Sequence, residues 1–310
     1  MERVTPPSLV ERAATHLRKI GPRPALGFSN GVASPQLAPA APTHVLPVPS
    51  ALRDARDVIA ERRTTSRTII LDRGRLLAAN VIDLAGTRSR ASEELRVIKR
   101  QLLRKTFSSP SANRTGANLI MITSARPGEG KTFSALNIAV SIAIEPNHRV
   151  LLIDADTVRQ GISQAIGLDE QHGLLDLLSD NEREVSDVIL QTDIPNLAIL
   201  PAGAARDDAA ELLASPRMVA LLSEMCARYS NRIVLIDAPP CLMSSDPAAL
   251  AGMVGQVVMV VEAGRTQRDD VEAAIEMVKD CSDVSLILNR LQQTLHDSLG
   301  AYGSYYGFSL

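Results

Sequence analysis

Six short, almost wholly apolar runs constrain this chain more than anything else in it. They are residues 118–123 (NLIMIT), 150–154 (VLLID), 197–200 (LAIL), 233–237 (IVLID), 257–261 (VVMVV) and 284–288 (VSLIL). A strand that alternates apolar and polar residues covers one face of a sheet, whereas one that is apolar throughout is buried on both. Helical stretches such as 216–228 and 267–279 lie between most of the runs. The pattern predicts an α/β fold, a mostly parallel sheet with helices on both faces. With 310 residues there is ample chain for such a core. No run approaches the roughly 18–20 apolar residues that span a bilayer, and no solenoid-type repeat is visible.

The rest of the chain is uneven. Nine of the eighteen prolines fall within the first 49 residues, and three of the four tyrosines within the last nine. This predicts four territories. Residues 1–50 hold a short amphipathic helix over 8–20 (Ser8 and Glu11 at capping-box spacing; Leu9, Val10, Ala13, Leu17 and Ile20 on one face) and a Pro/Ala-rich linker. That helix packs on its own domain or docks to a partner. Residues 51–115 are locally basic, fifteen Lys/Arg against seven Asp/Glu, with a helical pattern over 91–103 that aligns Leu95, Ile98 and Leu102. This stretch reads either as a solvated face or as attraction to an acidic partner or anionic membrane. A core follows over 116–290, then a tail over 291–310.

Overall charge excludes one class of partner. A net charge of −2 and interspersed charges without aromatics argue against nucleic acid. Cys226, Cys241 and Cys281 are too far apart for a disulfide framework or a zinc pattern, which suits a reducing compartment. Glu2, Arg3, Glu11 and Arg12 interrupt the region where a secretory signal would need an uncharged stretch. The expectation is a cytoplasmic chain that meets any membrane through a partner.

The chemistry is concentrated between the first strand and its helix, in Ala125-Arg126-Pro127-Gly128-Glu129-Gly130-Lys131-Thr132, followed by Phe133. Glycines let backbone N–H groups converge on phosphate oxygens, and the helix N-terminus adds partial positive charge. A lysine and a hydroxyl at the end of such a loop serve the β/γ-phosphates and Mg²⁺ respectively. The loop therefore predicts a P-loop NTPase that binds ATP with Mg²⁺. Asp154, Asp156 and Asp237 end two of the strands, where ligands of parallel sheets sit. One can orient the metal with Thr132, and another can accept a proton from an attacking hydroxyl; Asp156 could alternatively cap the next helix. Asn289, after the last strand, reads as a contact to the adenine edge or as a plain turn residue. Tyr302, Tyr305 and Tyr306 lie among glycines and serines in a tail that buries too little to fold alone. They are candidate phosphoacceptors, with aromatic docking to a partner as the other reading.

Taken together, the SARPGEGKT loop, LLIDAD, LIDAPP and the Tyr-rich tail resemble bacterial tyrosine kinases of the polysaccharide-export type. The stretch ITSARPGEGKTFSALNIAVSIA resembles in particular the autokinases of exosortase/PEP-CTERM exopolysaccharide loci. The likeness covers about residues 90–310. It implies an autokinase in which Lys131 serves phosphate, Thr132, Asp156 and Asp237 hold Mg²⁺, and Asp154 is the base for a tyrosine hydroxyl. It also implies a homo-oligomer built through a Glu-x-x-Arg-x-x-Arg helix, here Glu93, Arg96 and Lys99, with Arg100 beside the last. A membrane-anchored polysaccharide chain-length protein is the implied activator. The family's Leu-Arg after the acidic motif is replaced by Thr157-Val158-Arg159, one position longer. MinD/ParA-like switch ATPases share the implied fold. Their signature lysine is replaced here by Arg126, and residues 291–310 contain no Lys or Arg for a basic membrane helix.

Overall fold

The computed structural model describes residues 68–81, 89–108, 116–168, 171–228 and 232–291. The helix expected over 8–20, the Pro/Ala-rich linker and the three tail tyrosines lie outside them. The elements run β1 (Thr68–Ile69), α1 (Arg73–Ala78), α2 (Arg90–Ser108), β2 (Leu119–Ser124), α3 (Lys131–Ala143), β3 (Arg149–Asp154), α4 (Gly161–Ile166), α5 (Leu174–Ser179), α6 (Val185–Val188), β4 (Leu190–Thr192), β5 (Leu197–Leu200), α7 (Ala209–Leu213), α8 (Pro216–Arg228), β6 (Arg232–Asp237), α9 (Asp246–Ala251), β7 (Gln256–Glu262), α10 (Arg268–Met277) and β8 (Val284–Asn289).

The eight strands form one sheet in the order β1-β4-β5-β3-β6-β2-β7-β8, parallel except where β4 meets β5. Successive residues of each central strand enter opposite cores. Met121, Leu151, Ile153, Val234, Ile236 and Met259 face a cluster covered by α5 to α10. Ile120, Ile122, Leu152, Leu235, Val258 and Val260 face one covered by α1 to α4. Burial of each such side chain is worth about 1.5–3 kcal/mol, which makes the continuous apolar runs the sheet's main support. The α/β expectation therefore holds. The two short strands β1 and β4 extend the sheet beyond the six runs.

Helix α3 is buried almost all round, its small and polar residues included, because it is enclosed by the sheet beneath and α2 above. Helix α2 is fastened to the core along its length. Leu95 and Leu102 are buried, the Lys99 ammonium donates to the Ser141 carbonyl at 3.0 Å, and Lys105 reaches Asp283 and Ser285. Phe107 stacks on His148 with ring centres 5.6 Å apart.

Candidate active site

Strands β3 and β6 are in register so that Asp154 lies directly opposite Asp237. Beyond that pair the ladder continues for one more bond, Ala155 N–H to the Asp237 carbonyl at 2.9 Å, which carries Asp156 to the same sheet edge. Strand β2, hydrogen-bonded to β6, ends there too and opens into the glycine loop. Gly128 and Gly130 have φ of 87° and 95°, a region that disfavours any side chain. Gly130 is the N-cap of α3 and contributes no side-chain cap, so the first-turn N–H groups lack a capping side chain.

These elements bring Lys131, Thr132, Asp156 and Asp237 into contact. The Lys131 ammonium stands 2.6 Å from Asp156 Oδ2, 3.3 Å from Asp237 Oδ1 and 3.2 Å from the Thr132 hydroxyl. Thr132 Oγ1 donates to Asp237 Oδ2 at 2.7 Å. Asp156 also accepts from the Arg159 N–H at 3.3 Å, so it closes the following turn as well as facing the lysine. Asp154 is wholly buried: its Oδ2 accepts from Ser163 N–H and Oγ–H at 3.2 and 3.3 Å, and its Oδ1 has no hydrogen-bond partner.

Three carboxylates against one ammonium would leave two negative charges uncompensated if all were ionised, and the poorly solvated pocket resists that. Burial first, and then the adjacent Asp237, push the Asp154 carboxyl up to about 7. Burial also raises Asp237, against the pull of Lys131 and the Thr132 hydroxyl. For Lys131, burial works against the ammonium, but Asp237 and Asp156 outweigh it and hold its pKa above the ordinary lysine value.

The donor set fits a small hard cation: two carboxylates and a hydroxyl, all oxygen, beside a loop suited to phosphate. Mg²⁺ commonly takes one or two carboxylates and completes its shell with phosphate and water, so a full protein cage is unnecessary. None occurs among the described residues.

One sequence expectation needs correction. Lys99 does not continue the exposed Glu93–Arg96 pair. Helical geometry turns it inward, where it pairs with Glu145 at 2.7 Å, and Arg100 takes the outward position. The Asn289 amide nitrogen donates to the Glu129 carbonyl at 2.9 Å, which ties the end of β8 to the glycine loop. Sequence reasoning also missed how the loop is held. Glu129, read only as a loop residue, is buried and bonded to Arg126 N–H and the Thr266 hydroxyl, and Arg126 makes a two-pronged pair with Asp270. No spacing rule links positions so far apart.

A sequence model of the AAA domain family matches residues 117–290. The tyrosine-protein kinase YwqD of Bacillus subtilis is 32% identical over 235 residues, 75% of this chain and 95% of that one. The chain belongs to the bacterial tyrosine-kinase family. Its fold matches the kinase domain of the Escherichia coli tyrosine kinase ETK with a TM-score of 0.61 at 26% identity, over 79% of this chain and 94% of that one. The EpsB protein of Ralstonia nicotianae is 35% identical over 195 residues, 62% of this chain, but this kinase-family chain spans only 25% of that longer protein. Among the described residues no helix is long and apolar enough to cross a membrane.

Proposed function

We propose that this chain is an ATP- and Mg²⁺-dependent protein-tyrosine autokinase that modifies its own tail at Tyr302, Tyr305 or Tyr306. The supporting observation is Lys131, held between Asp156 and Asp237 at the foot of the glycine loop. On binding a triphosphate, Lys131 would exchange a carboxylate for phosphate oxygens, which releases Asp156 and Asp237, with Thr132, to hold Mg²⁺. Bound there, the ion would neutralise charge on the phosphates. The tyrosyl oxygen forms the new bond to the γ-phosphorus as the bridging bond to ADP breaks. The tyrosyl proton passes to Asp154, whose free Oδ1 and raised pKa suit a base near neutrality. Catalysis of this kind is chiefly positioning and charge stabilisation.

The wider reading follows the resemblance. The acceptor tail is delivered between copies of a homo-oligomer, and phosphate on the tails, about −1.5 to −2 charges each, drives neighbours apart. The cycle regulates exopolysaccharide synthesis or export in the cytoplasm, through a membrane-anchored chain-length protein. The switch-ATPase alternative requires residue 126 to reach across a dimer, whereas Arg126 is paired with Asp270 of its own chain.

Incubation of the full chain with labelled ATP, followed by phosphosite mapping, tests the proposal. Label is expected on the tail tyrosines and absent from the Lys131→Ala variant. Equal labelling of a chain ending at Leu299 overturns the tail assignment, and hydrolysis with no phosphotyrosine supports the switch ATPase.

A further inference from the structure

The glycine loop is buckled down from three sides. Within the loop, the Glu129 carboxylate accepts from the Arg126 N–H at 2.8 Å and so closes the turn Arg126-Pro127-Gly128-Glu129. Its other oxygen accepts from the Thr266 hydroxyl, which itself accepts from the Glu262 N–H at 3.2 Å. The Glu129 carbonyl takes the Asn289 amide at 2.9 Å. Outside this, the Arg126 guanidinium meets Asp270 at 2.6 and 2.8 Å. Glu129 is only 2% exposed, so water does not readily replace these bonds. The fit leaves no slack, since a Cβ on Gly130 would come within 2.1 Å of the Asn289 amide nitrogen.

A carboxylate this close to a phosphate-binding loop is electrostatically unfavourable for an anionic ligand. Its burial and hydrogen bonds account for its presence in another way. We propose that Glu129 is a positioning residue, which clasps the glycine loop to the segment 262–270 and presets it for a nucleotide's phosphates. This rests on the nucleotide-binding part of the function above, not on the identity of the acceptor. The clasp acts before any chemistry, so it governs nucleotide affinity and leaves the transfer step to Lys131 and the aspartates.

The test is the affinity of the full chain for a fluorescent ATP analogue, read by anisotropy, alongside steady-state kinetics. Glu129→Ala loses both side-chain bonds, and its dissociation constant should rise about tenfold or more. Glu129→Gln keeps an acceptor for the Arg126 N–H and offers a donor to Thr266 Oγ1. Without the negative charge it should bind within about twofold of the wild type or more tightly. The KM for ATP should follow the same order while kcat at saturating ATP stays within about threefold. If Glu129→Ala fails to fold, as judged by its melting curve, Thr266→Val removes one bond of the clasp and should weaken binding about threefold. Wild-type affinity in Glu129→Ala, or in Thr266→Val where that replaces it, overturns the proposal, as does a Gln variant as weak as Ala. Clasp-dependent binding with no phosphotyrosine would leave this inference standing and remove the kinase reading.

Discussion

Lys99 and Lys131 are both buried ammonium groups with side chains about 8% exposed, the first packed against α3 from α2 and the second at the start of α3 itself. Their surroundings differ in one respect. Lys99 is held by a helix carbonyl and by Glu145, whose side chain is 40% exposed and free to turn to water. Lys131 faces Asp156 and Asp237, both almost wholly enclosed. The first arrangement is a tether that satisfies its own charge. The second is over-supplied with negative charge, so it answers readily to an added cation or to a phosphate that draws the lysine away. Burial alone does not separate structural from chemical lysines; the ability of the partners to escape to solvent does.

The sharpest way to break this contrast is to remove each ammonium in turn. Lys131→Met should lower tyrosine labelling by about a thousandfold or more, since the phosphate contact and the charge balance vanish together. It should also destabilise the fold by about 3–5 kcal/mol in Mg²⁺-free buffer, because two enclosed carboxylates lose their counter-ion. Urea denaturation and labelling measure the two effects, and an unchanged denaturation midpoint would show that Asp156 and Asp237 are better solvated than the geometry indicates.

Asp154 sharpens the same point from the acid side. Its folded pKa of about 7 lies above the value of an ordinary aspartate. Between about pH 4 and 7 the folded state therefore holds a proton that the unfolded state has released, and stability falls as pH rises through that window. Asp154→Asn should abolish most of the fall between pH 5 and 8 and be more stable than the wild type at pH 8 by about 1–4 kcal/mol. Labelling should drop about a hundredfold or more through loss of the base. A variant with the wild-type pH slope would place the titration on another group.

The contrast also explains what the amino-acid order made legible. The LAIL run of β5 and the helix over 216–228 stand where the pattern places them, because both follow from local periodicity. The three aspartates were legible because parallel strands bring their ends to one edge. Strands β1 and β4 were not, since two or three residues give no usable period and the pairing of Thr68 with Gln191 depends on tertiary contact. The inward turn of Lys99 was missed for a related reason. A motif read along the chain ignores that positions 93, 96 and 100 share one helical face while 99 falls beside buried Leu95 and Leu102. The Glu129–Thr266 bond spans 137 residues and leaves no local trace.

Lys99→Met should accordingly cost less than its counterpart. Glu145 can hydrate and the Ser141 carbonyl belongs to a helix, so the loss is expected near 1–2 kcal/mol with labelling per folded molecule within about threefold of wild type. Matched urea curves and labelling of the soluble fraction decide this. Loss of activity beyond that limit, in a chain that melts normally, would make Lys99 more than a tether.

The smallest effect on stability belongs to the outer face of α2. Glu93 and Arg96 pair at 2.6 Å, but their side chains are 36% and 47% exposed, and Arg100 beside them faces outward. Such a pair contributes at most about 1 kcal/mol and is weakened by salt. Arg96→Ala combined with Arg100→Ala should therefore leave the melting temperature within a few degrees of wild type. If this face joins copies of the chain, the same variant should sediment as a smaller species and label its tail more slowly, with the deficit shrinking as protein concentration is raised. If it does not, sedimentation and labelling will both match wild type. Because the folded chain is barely perturbed either way, any change in these two readings reports on contact between copies. The inward-facing lysine could never provide so clean a measurement.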